Sequence, residues 1–272
     1  MSVDVDLAAR IGAHAVAVFG ALLVALVTAT GVGWLALQHL VIRRRRLPEH
    51  AATRALLATL ALGFVAILGA GVVFASLPAA IVDGGRVAAL DQALTAAIRT
   101  HVPIAVLRGF AVFTLVANSL TQWSIGIAGT LWLAWRRERL LAWTWAVAFA
   151  GNGVLTRLLK AIFERARPER EHDLLGATGW SFPSGHSSGA VVICGMLAYL
   201  GLRWTRPAWH LPIVLAATAL AFTIGCSRVF LQVHYASDVL AGFALGAAWL
   251  AVCVGAAEVI RTRHERRAAR DQ

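Results

Sequence analysis

The sequence predicts an all-α fold, a polytopic membrane helix bundle of about seven transmembrane helices. Three observations carry that prediction. Hydrophobic residues make up 59% of the chain and charged residues 14%, against roughly 45–50% and 25% in soluble domains. Mostly uncharged runs of about 20 residues, the length a helix needs to cross the hydrocarbon core, recur from end to end. Between them lies nothing polar enough to form a separate soluble domain.

The first run is Ile11–Ile42. The residues before it lack the basic stretch of a cleavable signal peptide, and the run is too long for its apolar region, so no such peptide is expected. Ala55–Val82 and Gly109–Trp135 follow. From Asp83 to Arg108 the pattern changes. Val87, Leu90, Leu94 and Ile98 recur at helical spacing, with Arg86, Asp91, Thr95 and Arg99 between them. This fits an amphipathic helix lying in the interface, or a plain connector, bounded by Gly84-Gly85 and Pro103. Leu140–Thr156 continues into a helix that carries Arg157 and Lys160, and Ser187–Leu202, Pro207–Ser227 and Val239–Ala257 complete the set. Cys194, Cys226 and Cys253 all lie inside apolar runs and read as small buried hydrophobes.

The net charge is +11, and of 25 basic residues only Lys160 is a lysine. Such a balance ordinarily raises nucleic acid as a partner, but the distribution of charge argues otherwise. With Arg43–Arg46 placed in the cytoplasm and strict alternation, 15 bases fall inside and 10 outside, as the positive-inside rule prefers. Six of the outer ten are Arg157, Lys160, Arg165, Arg167, Arg170 and Arg228. Charge at mid-bilayer costs about 2.5–3.5 kcal/mol per residue, falling towards the interface. A basic cluster against the topological preference therefore calls for a partner.

Three elements surround this anomaly. Lys160 and Arg167 are seven residues apart and share a helical face if the helix runs on to Pro168; Glu164 is placed to pair with Lys160 one turn away. Pro183-Ser184-Gly185-His186 stands ahead of an apolar run, where Ser184 caps a helix and Gly185 admits a ligand to the backbone. Free N–H groups there form an anion site, with His186 beside it. Ser227-Arg228 is followed by His234 and Asp238, one helical turn apart, so the carboxylate can accept Nδ1–H and direct Nε2. All three map to one side of the membrane. Phosphoryl transfer needs cations on the equatorial oxygens, an in-line nucleophile and an acid for the leaving oxygen. These residues supply each part, and no acidic cluster suited to Mg²⁺ accompanies them, so neither metal nor cofactor is expected.

Lys160-(six residues)-Arg167-Pro168, Pro183-Ser184-Gly185-His186 and Ser227-Arg228-(five residues)-His234-(three residues)-Asp238 resemble the three-part pattern of the type 2 phosphatidic acid phosphatase superfamily at every fixed position. The resemblance covers roughly residues 84–257. Gly179-Trp180-Ser181-Phe182 is similar to the bacterial phosphatidylglycerophosphatase B and undecaprenyl diphosphate phosphatase branch. The family implies a six-helix core, so the division expected is 1–50 as an added helix and basic loop, 51–260 as the core, and 261–272 as a basic tail. It further implies a membrane phosphatase acting on a phospholipid or isoprenoid phosphate at the outer leaflet of a bacterial cell membrane. His234 would attack phosphorus, Asp238 orient it and His186 serve as acid and base. Lys160, Arg167, Arg228, Ser184 and Gly185 would hold the phosphoryl oxygens. A phosphotransferase using the same site, and a non-enzymatic lipid-binding protein, are the alternatives.

Overall fold

The computed structural model describes residues 2–44, 85–115, 118–169 and 178–268. The span expected at Ala55–Val82 lies outside them, as do Arg54 and Arg170. Every regular element among the described residues is helical, as expected. Among the described residues five helices are long and apolar enough to cross a membrane, or six if one bent pair counts as a span.

The first apolar run is divided at His14 into α1 (Ser2–Ala13) and α2 (Ala15–Arg44). Asp4, Asp6 and Arg10 make α1 too polar to extend a span. It packs instead along α3 (Arg86–His101). Gly12 permits that approach, since a Cβ there would meet Ala97 Cβ at 2.6 Å and the Leu94 carbonyl at 2.7 Å. An Asp4–Arg86 ion pair ties the two helices at the surface.

Two sequence expectations fail around α3. Asp91 and Thr95, expected on its polar side, are both buried; Asp91 faces a guanidinium inside the protein rather than solvent. The run Gly109–Trp135 is not one helix. α4 (Ile104–Leu115) ends before Asn118, whose side chain caps α5 (Ser119–Trp135) by accepting the Thr121 N–H at 2.8 Å. α3 and α4 meet at 112° across Val102-Pro103, where proline cannot continue the hydrogen-bond ladder.

α6 (Arg139–Phe163), α7 (Gly185–Trp204), α8 (His210–Phe230, entered through a 3₁₀ turn at Pro207–Trp209) and α9 (Ala236–Ala268) complete the described chain. Contacts fix their directions. The start of α7 meets the start of α9, where the Ser184 N–H donates to the Asp238 carbonyl at 3.0 Å. Their far ends meet through Tyr199, Arg203 and Glu258. The end of α5 joins that far end through Trp132 against Trp204, and the later part of α2 through Trp34 against His210. Arg136, Arg203, Arg206 and Arg261 therefore collect at one end of the bundle, and Lys160, Arg167, Arg228 and both motif histidines at the other. α9 lies close against α7 because Gly242 and Gly246, four residues apart, present no side chain to it. Trp145, Leu133 and Met196 fill the core between α5, α6 and α7.

Candidate active site

Lys160 occupies the last turn of α6, where its ammonium donates to the Trp180 carbonyl. The helix does not run on to Pro168 as expected. It stops at Phe163, because Glu164 adopts a left-handed conformation (φ 42°, ψ 33°) that turns the chain away. Arg167 consequently shares no helical face with Lys160 and reaches the site from the following loop. Its guanidinium is restrained there: it donates to the carbonyls of Val233 (2.6 Å), Gly179 (2.9 Å), Thr178 (3.0 Å) and Trp180 (3.4 Å), and stands 3.5 Å from His234 Nε2. Among the described residues no ion pair joins Glu164 to Lys160; Glu164 is exposed.

Ser184 is the N-cap of α7, its hydroxyl oxygen accepting the Ser187 N–H at 3.4 Å and the Ser187 hydroxyl at 2.8 Å. It is fully buried. Gly185 and His186 follow in the first turn and line a cavity of about 270 Å³ together with Lys160, Arg167 and His234. Gln122, Trp123, Asn152, Thr156 and Arg157 line it as well. Arg157 lies over the Trp123 ring at 5.6 Å, and the Asn152 carbonyl oxygen is buried without a hydrogen-bond partner.

Arg228, Ser184 and Asp238 stand behind this lining. Arg228 is 4% exposed and donates to the Thr114 hydroxyl at 2.9 Å, while its Nε has no partner. His234 projects from the short loop between α8 and α9, with Nδ1 3.5 Å from Asp238 Oδ2. Burial holds its pKa down at about 4, against an ordinary 6.5; the Asp238 carboxylate opposes that shift, and the positive charge of Arg167 and Lys160 adds to it. The imidazole is thus neutral at physiological pH and its Nε2 faces the cavity's cations. A neutral, directed nitrogen beside two cations and a second histidine is an arrangement able to accept a phosphoryl group.

Two residues escaped the sequence reading. The sequence marks Arg165 only as one of six anomalous bases, and Asp91 only as part of an amphipathic pattern. The structure joins them: Arg165 lies 2.9 Å from Asp91 and 2.5 Å from Asp238. No local spacing signals a contact between residues 74 apart in the chain. The excess of outer charge was the only trace. Gln122 and Asn152, both within helices, also line the cavity, and the Gln122 amide donates to the His186 carbonyl at 3.5 Å.

Residues 141–259 match the model of the PAP2 superfamily. Phosphatidylglycerophosphatase B of Bacillus subtilis is 35% identical over 108 residues, covering 37% of this chain and 50% of that protein. Lipid A 1-phosphatase of Rhizobium johnstonii is 33% identical over 149 residues, or 49% of this chain and 57% of that protein. The chain thus spans about half the length of the curated relatives it matches. The crystal structure of a transmembrane PAP2-type phosphatidylglycerolphosphate phosphatase from Bacillus subtilis superposes with a TM-score of 0.64 at 27% identity, covering 71% of this chain and 96% of that one.

Proposed function

We propose, from the match of residues 141–259 to the PAP2 superfamily, that the chain is an integral membrane lipid phosphate phosphatase working through a phosphohistidine. One observation carries this reading: His186, His234, Lys160 and Arg167 meet around a single cavity at one end of an apolar bundle. His234 Nε2 attacks phosphorus; the N–P bond forms as the P–O bond to the lipid breaks, and His186 gives its proton to the leaving oxygen. Asp238 holds the ring and balances the positive charge it gains. Water, deprotonated by His186, then attacks the phosphohistidine and releases phosphate and free His234. Acid–base assistance of this kind is worth about 10²–10⁴ in rate. Lys160 and Arg167 meet the phosphoryl oxygens from the cavity wall, the first-turn N–H groups of α7 meet them from the helix N-terminus, and Arg228 adds positive charge from behind.

The lipid anchor stays in the bilayer, which accounts for a phosphatase built as a membrane bundle. The loop charges favour a site on the outer side of a bacterial cell membrane, since the bases of the opposite end are the cytoplasmic kind. Phosphatidylglycerol phosphate, undecaprenyl diphosphate and phosphatidic acid each present a terminal phosphoryl group on an apolar anchor. Lipid A 1-phosphate joins them through the name of one relative.

Phosphate release from these four lipids by the purified protein tests the reading. Release is expected without an added acceptor, in the presence of EDTA, and to be inhibited by vanadate. His234→Ala is expected to abolish it while the protein still inserts and folds. Retained activity in that variant overturns the phosphohistidine, and phosphate appearing only on an added acceptor assigns the site to group transfer instead.

A further inference from the structure

We propose that Arg165 and Asp91 are positioning residues for the nucleophile: Asp91, on α3, holds Arg165, and Arg165 holds Asp238 in the orientation that directs His234. The inference rests on the phosphohistidine reading above and adds to it two residues outside the three motifs.

The Asp238 carboxylate is fixed from both sides. Its Oδ2 accepts the Tyr235 N–H at 2.9 Å and stands 3.5 Å from His234 Nδ1. Its Oδ1 accepts from Arg165 Nη1 at 2.5 Å. The guanidinium has little freedom of its own. It donates to the Ser237 hydroxyl at 2.8 Å and to Asp91 Oδ2 at 2.9 Å, and lies over the Tyr235 ring at 4.2 Å. Asp91 is anchored in turn by the Ser237 N–H at 3.2 Å and by the Ser237 hydroxyl. Arg165 is 9% exposed, Asp91 6% and Asp238 fully buried.

A stability role explains this poorly. Burying charges costs several kcal/mol per ion, and well-packed apolar residues commonly serve as well or better. A positioning role explains both the geometry and the charge count. Two carboxylates and one guanidinium leave a single net negative charge behind Nδ1. On the Nε2 side stand Lys160 and Arg167, with His186 across the cavity and Arg228 behind it. Loss of Arg165 would leave two negative charges behind the ring and favour imidazolium. Loss of the Asp91 charge would leave none and oppose it.

The experiment is the pH profile of kcat/KM for wild type, Arg165→Gln, Arg165→Lys and Asp91→Asn, read alongside kcat. Arg165→Gln is expected to lower kcat by about tenfold or more, since a small displacement of a reacting group is expensive in rate, and to move the acid limb to higher pH. Arg165→Lys keeps the charge without the fork, so the limb returns towards its wild-type position with only part of kcat. Asp91→Asn lowers kcat without raising the limb. A group that only supported the fold would lower stability in all three variants and leave the limb in place. An unmoved limb in Arg165→Gln overturns the inference. Should that variant not fold, Arg165→Lys and Asp91→Asn decide it, and wild-type kcat in both overturns it. The two levels separate cleanly: a wild-type protein without His234-dependent phosphate release overturns the underlying reading and this inference with it, whereas His234-dependent release with an unmoved limb overturns this inference alone.

Discussion

Gly242→Ala is expected to damage catalysis through a residue that touches no substrate. Gly242 lies on α9 against the first turn of α7, the turn that carries Gly185 and His186. A Cβ at this position would stand 2.5 Å from the Ser184 carbonyl oxygen, 2.9 Å from Ser187 Cβ and 3.3 Å from the Ser188 nitrogen. Ordinary van der Waals contact begins at 3.4 Å, so the carbonyl must retreat by about 0.9 Å. No side-chain rotation relieves the clash, because two of the three obstacles are backbone. The Ser184 N–H is also bonded to the Asp238 carbonyl at 3.0 Å, so the retreat pulls on the loop that orients His234. Overpacking of this kind costs about 1–3 kcal/mol, which a fold stable by roughly 5–15 kcal/mol survives. The rate is more sensitive, since a misplacement of about 1 Å costs about 100-fold. The assay is kcat for phosphate release in detergent micelles, with a thermal melt on the same sample. A folded protein with kcat lowered by about 10–100-fold is expected. Gly255→Ala, on the same helix but facing open space, should keep wild-type kcat. A Gly242→Ala protein with unchanged kcat would refute the claim that helix spacing sets the relation between His186 and His234.

The pH dependence follows from His234, whose folded value of about 4 lies below its ordinary 6.5. As pH falls through that window the unfolded chain binds a proton that the folded chain refuses, so stability is complete above it and declines within it. The acid limb of kcat/KM should accordingly lie near 4 in the wild-type protein; a limb at the free-imidazole value would show that burial does not hold the ring neutral. Lys160→Arg conserves charge but replaces a compact ammonium, seated on the Trp180 carbonyl, by a planar fork. Steady-state assays should find a lowered kcat in a folded protein, and full activity would make the sole lysine incidental.

The sequence by itself determined much of this protein. Length and apolarity of the runs dictated a helical membrane bundle, since a segment without water must satisfy its own backbone. Loop charges divided the bases into two groups, and among the described residues Arg136, Arg203, Arg206 and Arg261 lie at one end of the bundle and Lys160, Arg167 and Arg228 at the other. The three motifs brought Lys160, His186 and His234 onto one side, because each stands at the end of a span and alternation alone then fixes its face. Other features were decided only by tertiary structure. A backbone turn at Glu164 detaches Arg167 from the helix of Lys160, and Asn118 breaks a run whose hydropathy reads as continuous. Asp91 is polar by type and buried by circumstance, since its partners Arg165 and Ser237 lie far along the chain. Periodicity reports which face of a helix is apolar; it is blind to a charge neutralised by another charge from a distant segment. The contacts that hold Asp238 behind the nucleophile are of that kind, and only the folded chain brings them together.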